Sequence, residues 1–188
     1  MRAFFCIDLE DGVKDGLERL IQELKRDRLW RTARVSWVKR ENLHITLKFL
    51  GEIAPEQLEE LELAAAVVSE GFEPFTLEID SLGAFPNVER PRVIWAGCSS
   101  PPREIGELFE RLEGELEPLG FPPEGKPYTP HVTLGRVKTT VRTGGSLGEI
   151  EPFRFVTSAR GVTLMESRLD PAGAIYTPLV KLDFSGER

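Results

Sequence analysis

No apolar run in the sequence approaches the roughly 18 residues that a membrane span needs, and Met1 to Ile7 offers a five-residue apolar stretch before Asp8. Neither a signal peptide nor an anchor is expected. Cysteine is confined to Cys6 and Cys98. Both lie in apolar, strand-like runs where a small buried thiol is the expected state, so a reducing, cytoplasmic setting fits better than a disulfide scaffold. Gln and Asn are scarce as well (Gln22, Gln57, Asn42, Asn87). Histidine occurs twice, at His44 and His131, and no close His or Cys spacing supplies the third and fourth ligands of a metal site. No metal and no cofactor are expected. Acyl transfer on a hydrolase sheet and nucleoside triphosphate chemistry are not expected either. No linker rich in Gly, Ser or Pro divides the chain.

What is present is a globular composition: 188 residues, 40% hydrophobic and 29% charged, enough to bury a core and too short for a multidomain assembly. The net charge of −7 argues against holding long nucleic acid by bulk electrostatics. One segment runs against that balance. Lys25, Arg26, Arg28, Arg31, Arg34, Lys39 and Arg40 face the single acid Asp27 in sequence, with Trp30 and Trp37 interleaved.

The chain resembles itself at a shift of about 90 residues. Arg2 to Asp8 reads as a strand, echoed by Arg92 to Cys98. Helical spacing follows each, through Val13, Leu17, Leu20, Ile21 and Leu24, then through Ile105, Leu108, Phe109, Leu112 and Leu116. A strand holding a histidine comes next in both: Leu43-His44-Ile45-Thr46-Leu47 and Pro130-His131-Val132-Thr133-Leu134. Glu73-Pro74-Phe75 and Glu151-Pro152-Phe153 each open a further strand. The first half inserts a helix from Glu56 to Ser69, where the second has the Gly-rich loop Gly144 to Gly148. The order predicts an α+β fold of two lobes related by a pseudo-twofold axis, each with an antiparallel sheet and helices, around a cleft. The duplication divides near residue 90, within one compact domain spanning 1–188.

Both histidines carry the same tail, an aliphatic residue, Thr and Leu. Side chains alternate along a strand, so His and Thr at i and i+2 share a face, roughly 6 to 7 Å apart. Strict alternation places Leu43, Ile45, Leu47 and Phe49 toward the core and His44, Thr46 and Lys48 on the opposite face. In the second strand His131 and Thr133 share that face, and Arg136 reaches it only through a bulge or strand end. Two imidazoles suit a displacement in which one takes a proton from the attacking group and the other gives one to the leaving group. Two threonine hydroxyls suit the non-bridging oxygens of a phosphoryl group between them.

"NLHITLKFLGE" at Asn42 to Glu52 and "PHVTLGR" at Pro130 to Arg136 resemble the paired motifs of the 2H phosphoesterase superfamily. The opening "FFCIDL", the segment Phe85 to Gly97 and the closing Tyr176 to Phe184 strand resemble its RNA 2′,3′-cyclic phosphodiesterase branch, also called 2′-5′ RNA ligase. The branch often has alanine where this chain has Gly135. The resemblance implies metal-independent opening of a terminal 2′,3′-cyclic phosphate to a 2′-phosphate and 3′-hydroxyl. It implies His44 as proton donor to the departing 3′ oxygen, His131 as the base for water, and Thr46 and Thr133 on phosphate oxygens. Arg136 and Lys48 are candidate phosphate contacts. Trp37, Phe85 and Tyr128 are candidate base platforms, and Arg28, Arg31 and Arg34 candidate contacts to the RNA backbone. Expected partners are RNA ending in a cyclic phosphate, tRNA halves among them, or small cyclic nucleotides, acting on a monomer with no protein partner. Joining of RNA ends, binding of ends without turnover, and a cyclic nucleotide or ADP-ribose cyclic phosphate as substrate are the alternatives.

Overall fold

Burial on both faces is what the opening strand of this chain demands, because Ala3, Phe4, Phe5, Cys6 and Ile7 are all apolar. The computed structural model, which describes residues 1–186, places it at the centre of a sheet. In chain order the elements are β1 (Arg2–Asp8), α1 (Asp11–Arg26), α2 (Arg28–Arg31), β2 (Val35–Trp37), β3 (His44–Glu52), α3 (Leu58–Glu70), β4 (Phe75–Ile79), β5 (Ser81–Phe85), β6 (Val93–Gly97), α4 (Arg103–Leu116), β7 (His131–Val137), β8 (Phe155–Ala159), β9 (Gly161–Asp170) and β10 (Gly173–Asp183). Phe5 and Ile7 enter the main core, with the apolar stripes of α1 and α4 read from the sequence buried in it, except that Phe109 packs instead on Tyr128. No helix among the described residues is long and apolar enough to cross a membrane.

The sheet has eight strands in the order β10-β9-β1-β3-β7-β6-β5, with β2 alongside β7. Its two halves meet at one rung, Ile45 opposite Val132. These residues occupy the same place in the two motifs, so the pseudo-twofold axis passes between them. The separate two-stranded sheet has the same character: β4 pairs antiparallel with β8, the middle residues of the two strands, Leu77 and Thr157, lying opposite each other. The copies exchange strands. β9, from the second copy, extends β1, whereas β5, from the first, extends β6. The sheet halves therefore do not coincide with the sequence halves on either side of residue 90.

Strict alternation fails at one corresponding place in both motif strands. On β3, Cys6 faces Thr46 and Phe5 faces Lys48, which leaves Leu47 as the extra residue of a β-bulge. On β7, Trp95 faces Thr133 and Ile94 faces Gly135, which leaves Leu134 in the same role. A bulge reverses the side-chain parity that follows it. Lys48, expected beside His44, is accordingly 3% exposed in the interior, and Phe49, expected in the core, is 61% exposed. In β7 the same device buries Gly135 and turns Arg136 outward.

The buried Lys48 ammonium pairs with Glu113 of α4 and donates to the Pro122 carbonyl at 2.7 Å. Glu113 also accepts from the Glu124 backbone N–H at 2.9 Å, so the pair ties β3 and α4 to the segment leading toward His131. Breaking a buried pair strands one charge. Lys48→Met is expected to cost about 3–5 kcal/mol in urea unfolding, with most of it recovered in Lys48→Met/Glu113→Leu. At the matching position of β7 a Cβ on Gly135 would lie 2.8 Å from both the Trp37 ring and Val35 Cγ1. Gly135→Ala should therefore displace Trp37, altering its fluorescence and costing about 1–3 kcal/mol; unchanged emission and stability would show that the contact relaxes freely.

Candidate active site

Each motif strand begins with its histidine, and each histidine is hooked by the carbonyl two residues before it. His44 Nδ1 bonds Asn42 O at 2.7 Å, and His131 Nδ1 bonds Thr129 O at 2.7 Å. A carbonyl only accepts, so Nδ1 is the protonated nitrogen in both rings and Nε2 is left for proton transfer. The Asn42 amide also donates to Ala174 O at 2.7 Å, fastening the β9–β10 turn beside the site.

The aromatic surroundings differ. Phe4 stacks against His44 with centroids 4.8 Å apart, and Tyr176 meets it edge-on at 5.4 Å. His131 is flanked by Phe85 at 4.9 Å and Trp95 at 5.9 Å. His44 Nε2 is 2.9 Å from Thr46 Oγ1, whose hydroxyl donates to the neutral ring. Burial pushes the His44 pKa down to about 4 against the opposing pull of the Asn42 carbonyl. His131 is also lowered, first by burial; the Thr129 carbonyl opposes this and the Arg136 charge adds to it. The cleft thus holds two neutral imidazoles near pH 7.

Two adjoining hollows meet at Thr46 and Phe49, which line both. The hollow on the His44 side also contains Ser36, Trp37, Lys39, Thr133, Arg136 and Tyr176. Phe85, Pro86, Arg92, Lys126, Tyr128 and Thr129 surround the His131 side. Their volumes are about 150 and 640 Å³, so the second alone is within the usual range for an organic ligand. The structure thus brings His44, Thr46, Thr133, Arg136 and Trp37 together, with His131, Phe85 and Tyr128 across the Thr46–Phe49 divide. Tyr128 stacks on Phe109 at 4.3 Å and donates its hydroxyl to Thr46 O at 2.9 Å, bracing β3 from the wall of the His131-side hollow. Lys48 is not in the cleft; the bulge carries it to Glu113. Arg28, Arg31 and Arg34 are exposed and line neither hollow.

Sequence reasoning missed Asn42, Ser36, Phe49 and Tyr176. The repeated carbonyl two residues before each histidine carries no side-chain signature, and Phe49 depends on the bulge. Two stretches spell motifs of other chemistries. Gly144 to Gly148 reads Gly-x-Ser-x-Gly, yet it is a turn with no helix after it, and Ser146 Oγ accepts from Gly148 N at 3.2 Å. Gly120 to Lys126 reads Gly-x4-Gly-Lys, but Pro127 stands where a phosphate loop needs Ser or Thr, and no helix follows. Among the described residues no group of three or more His, Cys, Asp or Glu side chains is arranged to hold a metal ion.

Residues 7–95 and 97–176 each match the LigT like phosphoesterase family, one match for each copy of the repeat. A protein of Methanothermobacter thermautotrophicus named RNA 2′,3′-cyclic phosphodiesterase is 37% identical over 184 residues, covering 95% of this chain and 96% of its own length. One of the same name from Thermotoga maritima is 33% identical, covering 99% and 97%. Among solved structures, a Thermus thermophilus protein superposes with a TM-score of 0.85 at 28% identity, covering 100% of both chains. Escherichia coli LigT complexed with 3′-AMP superposes with a TM-score of 0.76 at 28% identity, covering 98% of each chain. With a family match in each copy, both centred on the histidine strands that form the cleft, the chain belongs to the LigT like phosphoesterase family.

Proposed function

We propose that this chain is an RNA 2′,3′-cyclic phosphodiesterase that opens the cyclic end with water to a 2′-phosphate and a 3′-hydroxyl. The observation that carries the reading is the paired geometry: two imidazoles with Nδ1 tied to carbonyls, on either side of the Thr46, Thr133 and Arg136 groups suited to a phosphoryl oxygen. The names of its full-length relatives support it.

In this mechanism His131 Nε2 takes a proton from water as the water oxygen bonds to phosphorus. The phosphorus to 3′-oxygen bond breaks, and His44 protonates the departing oxygen. It enters the step as the imidazolium, with a second proton on Nε2, gives up that proton and returns to the neutral Nδ1–H form. Thr46, Thr133 and Arg136 hold the non-bridging oxygens. The ribose and the rest of its strand therefore lie on the His44 side. No step uses a metal. Natural substrates are RNA ends such as tRNA halves, processed by a monomer in the reducing cytoplasm that leaves the free thiols Cys6 and Cys98 intact.

A second reading has its own observation: the 640 Å³ hollow on the His131 side is far larger than a water molecule requires. It admits a ribose hydroxyl in place of water, which would join two RNA ends instead of hydrolysing one. The ratio of joined to hydrolysed product from paired RNA ends decides between them.

The primary test incubates the protein, in chelator, with an oligonucleotide ending in a 2′,3′-cyclic phosphate and identifies the product by phosphorus NMR. A 2′-monoester is expected; a 3′-monoester would reverse the donor and base, and no turnover would refute the reading. His44→Ala and His131→Ala should each lower kcat by about 10²–10⁴. The pH profile follows from the lowered pKa values. The free enzyme needs one histidine charged and one neutral, and both lose their protons below the ordinary 6.5. Hence kcat/KM should peak below pH 6.5 and fall as pH rises through neutrality. In the complex the phosphate anion stabilises the imidazolium, so kcat should peak at higher pH. A kcat/KM that rises from pH 6 to 8 would contradict this assignment.

A further inference from the structure

Beyond Arg136, which borders the cleft and serves the mechanism, the β2–β7 ladder carries further charge that the mechanism does not use. Ser36 pairs with Arg136, and Val35 with Val137. The ladder continues through Lys138 N to Arg34 O at 2.7 Å, and Arg34 N is held by Thr139 Oγ1 at 3.3 Å. Alternation therefore puts Arg34 and Ser36, with Arg136 and Lys138, on one exposed face, while Val137 is buried in the core. Two residues along a strand advance about 6.6 Å, comparable to the separation of successive phosphates in an extended nucleic acid strand. Beyond Lys138 the row opens into a groove of about 590 Å³, lined by Arg28, Arg142 and the hydroxyls of Thr32, Thr139 and Thr140, with no acidic residue in its wall.

These cations are not spent on neighbours. Among the described residues, Arg28, Arg34, Arg136, Lys138 and Arg142 form no salt bridge. Arg40, from the same basic run, is by contrast tied to Asp15 at 2.6 Å and Asp11 at 3.1 Å. Asp27, beside Arg28 in sequence, has its two oxygens occupied by the backbone N–H groups of Leu29 at 2.8 Å and Glu149 at 3.0 Å.

We propose that this row is the track of a single-stranded RNA, whose backbone leaves the His44 side of the cleft at Arg136, passes Arg34 and Lys138, and enters the groove between Arg28 and Arg142. The proposal rests on the reading of the cleft given above. Single-stranded RNA fits better than an acidic protein, because Arg136 and Lys138 stand one two-residue step apart along β7, the groove beyond mixes cations with hydroxyls, and the row is continuous with the group that faces the phosphate.

The test compares 2′,3′-cyclic AMP with a decanucleotide ending in a 2′,3′-cyclic phosphate, using the full chain and the variant Lys138→Ala/Arg142→Ala. The wild type should favour the decamer through KM. The variant should raise KM for the decamer about tenfold at low salt, with kcat and the mononucleotide kinetics unchanged. Its slope of log kcat/KM against log salt should shrink by about 1.4, the share of two single-strand phosphate contacts. Lys138→Arg/Arg142→Lys should restore both. A wild type indifferent to length, a variant that keeps the length advantage, or equal competition by polyglutamate and RNA of matched charge would overturn the track. Failure of the wild type to open cyclic AMP would instead bring down the reading of the cleft, and the track with it.

Discussion

Ile45 and Val132 pair across the pseudo-twofold axis, and each sits between a histidine and a threonine on its own strand. That rung sets where everything else can go. Strands that touched along their whole length would close the space between the motifs, whereas strands that did not touch would let the histidines drift. One rung pins the motif strands at the height of the imidazoles and lets them diverge afterwards. Burial of both residues means that no water competes for the contact. The bulges at Leu47 and Leu134 complete the geometry by rotating the next residues, so that Phe49 and Arg136 border the space beyond the threonines.

Near-symmetry in the backbone coexists with unlike chemistry at matching positions. Lys48 and Gly135 correspond, yet one anchors a buried ion pair and the other makes room for Trp37. Phe49 and Arg136 correspond too, so the arginine lining the His44-side hollow comes from one copy alone. A symmetric pair of neutral histidines offers no reason for one to give a proton and the other to take it. Unequal packing breaks the symmetry: His44 lies between Phe4 and Tyr176 with Thr46 on Nε2, while His131 feels the positive charge of Arg136. Burial disfavours a charge on either ring, so whichever acts as donor must gain its proton against that environment.

Much of this was legible in the residues themselves. The helical stripes of α1 and α4, the repeated motif and the α+β duplication depend on local periodicity, and local periodicity survives in a linear string. Parity beyond the motif did not survive. A bulge is one residue of slippage against a neighbouring strand, so Lys48 could not be placed without knowing that Phe5 lies opposite it. Nor could strand exchange be read, because the echo of Glu73-Pro74-Phe75 in Glu151-Pro152-Phe153 says that two strands are alike and not that they pair. The basic run proved to be several things at once: Arg40 fastens α1, Arg31 caps the Arg26 carbonyl, and Arg28 and Arg34 remain at the surface.

The exchange of β5 and β9 bears on how such a molecule can come apart. Neither copy of the repeat holds a complete sheet, since each would present bare edges where the other's strands belong. Melting should consequently be a single event for the whole body, without a surviving half. The same wiring describes what two separate chains of about half this length would make by trading arms as an intertwined homodimer. A tandem fusion of such a pair would yield this connectivity directly, and would free the partners' once-identical cleft residues to diverge into a donor and an acceptor of protons.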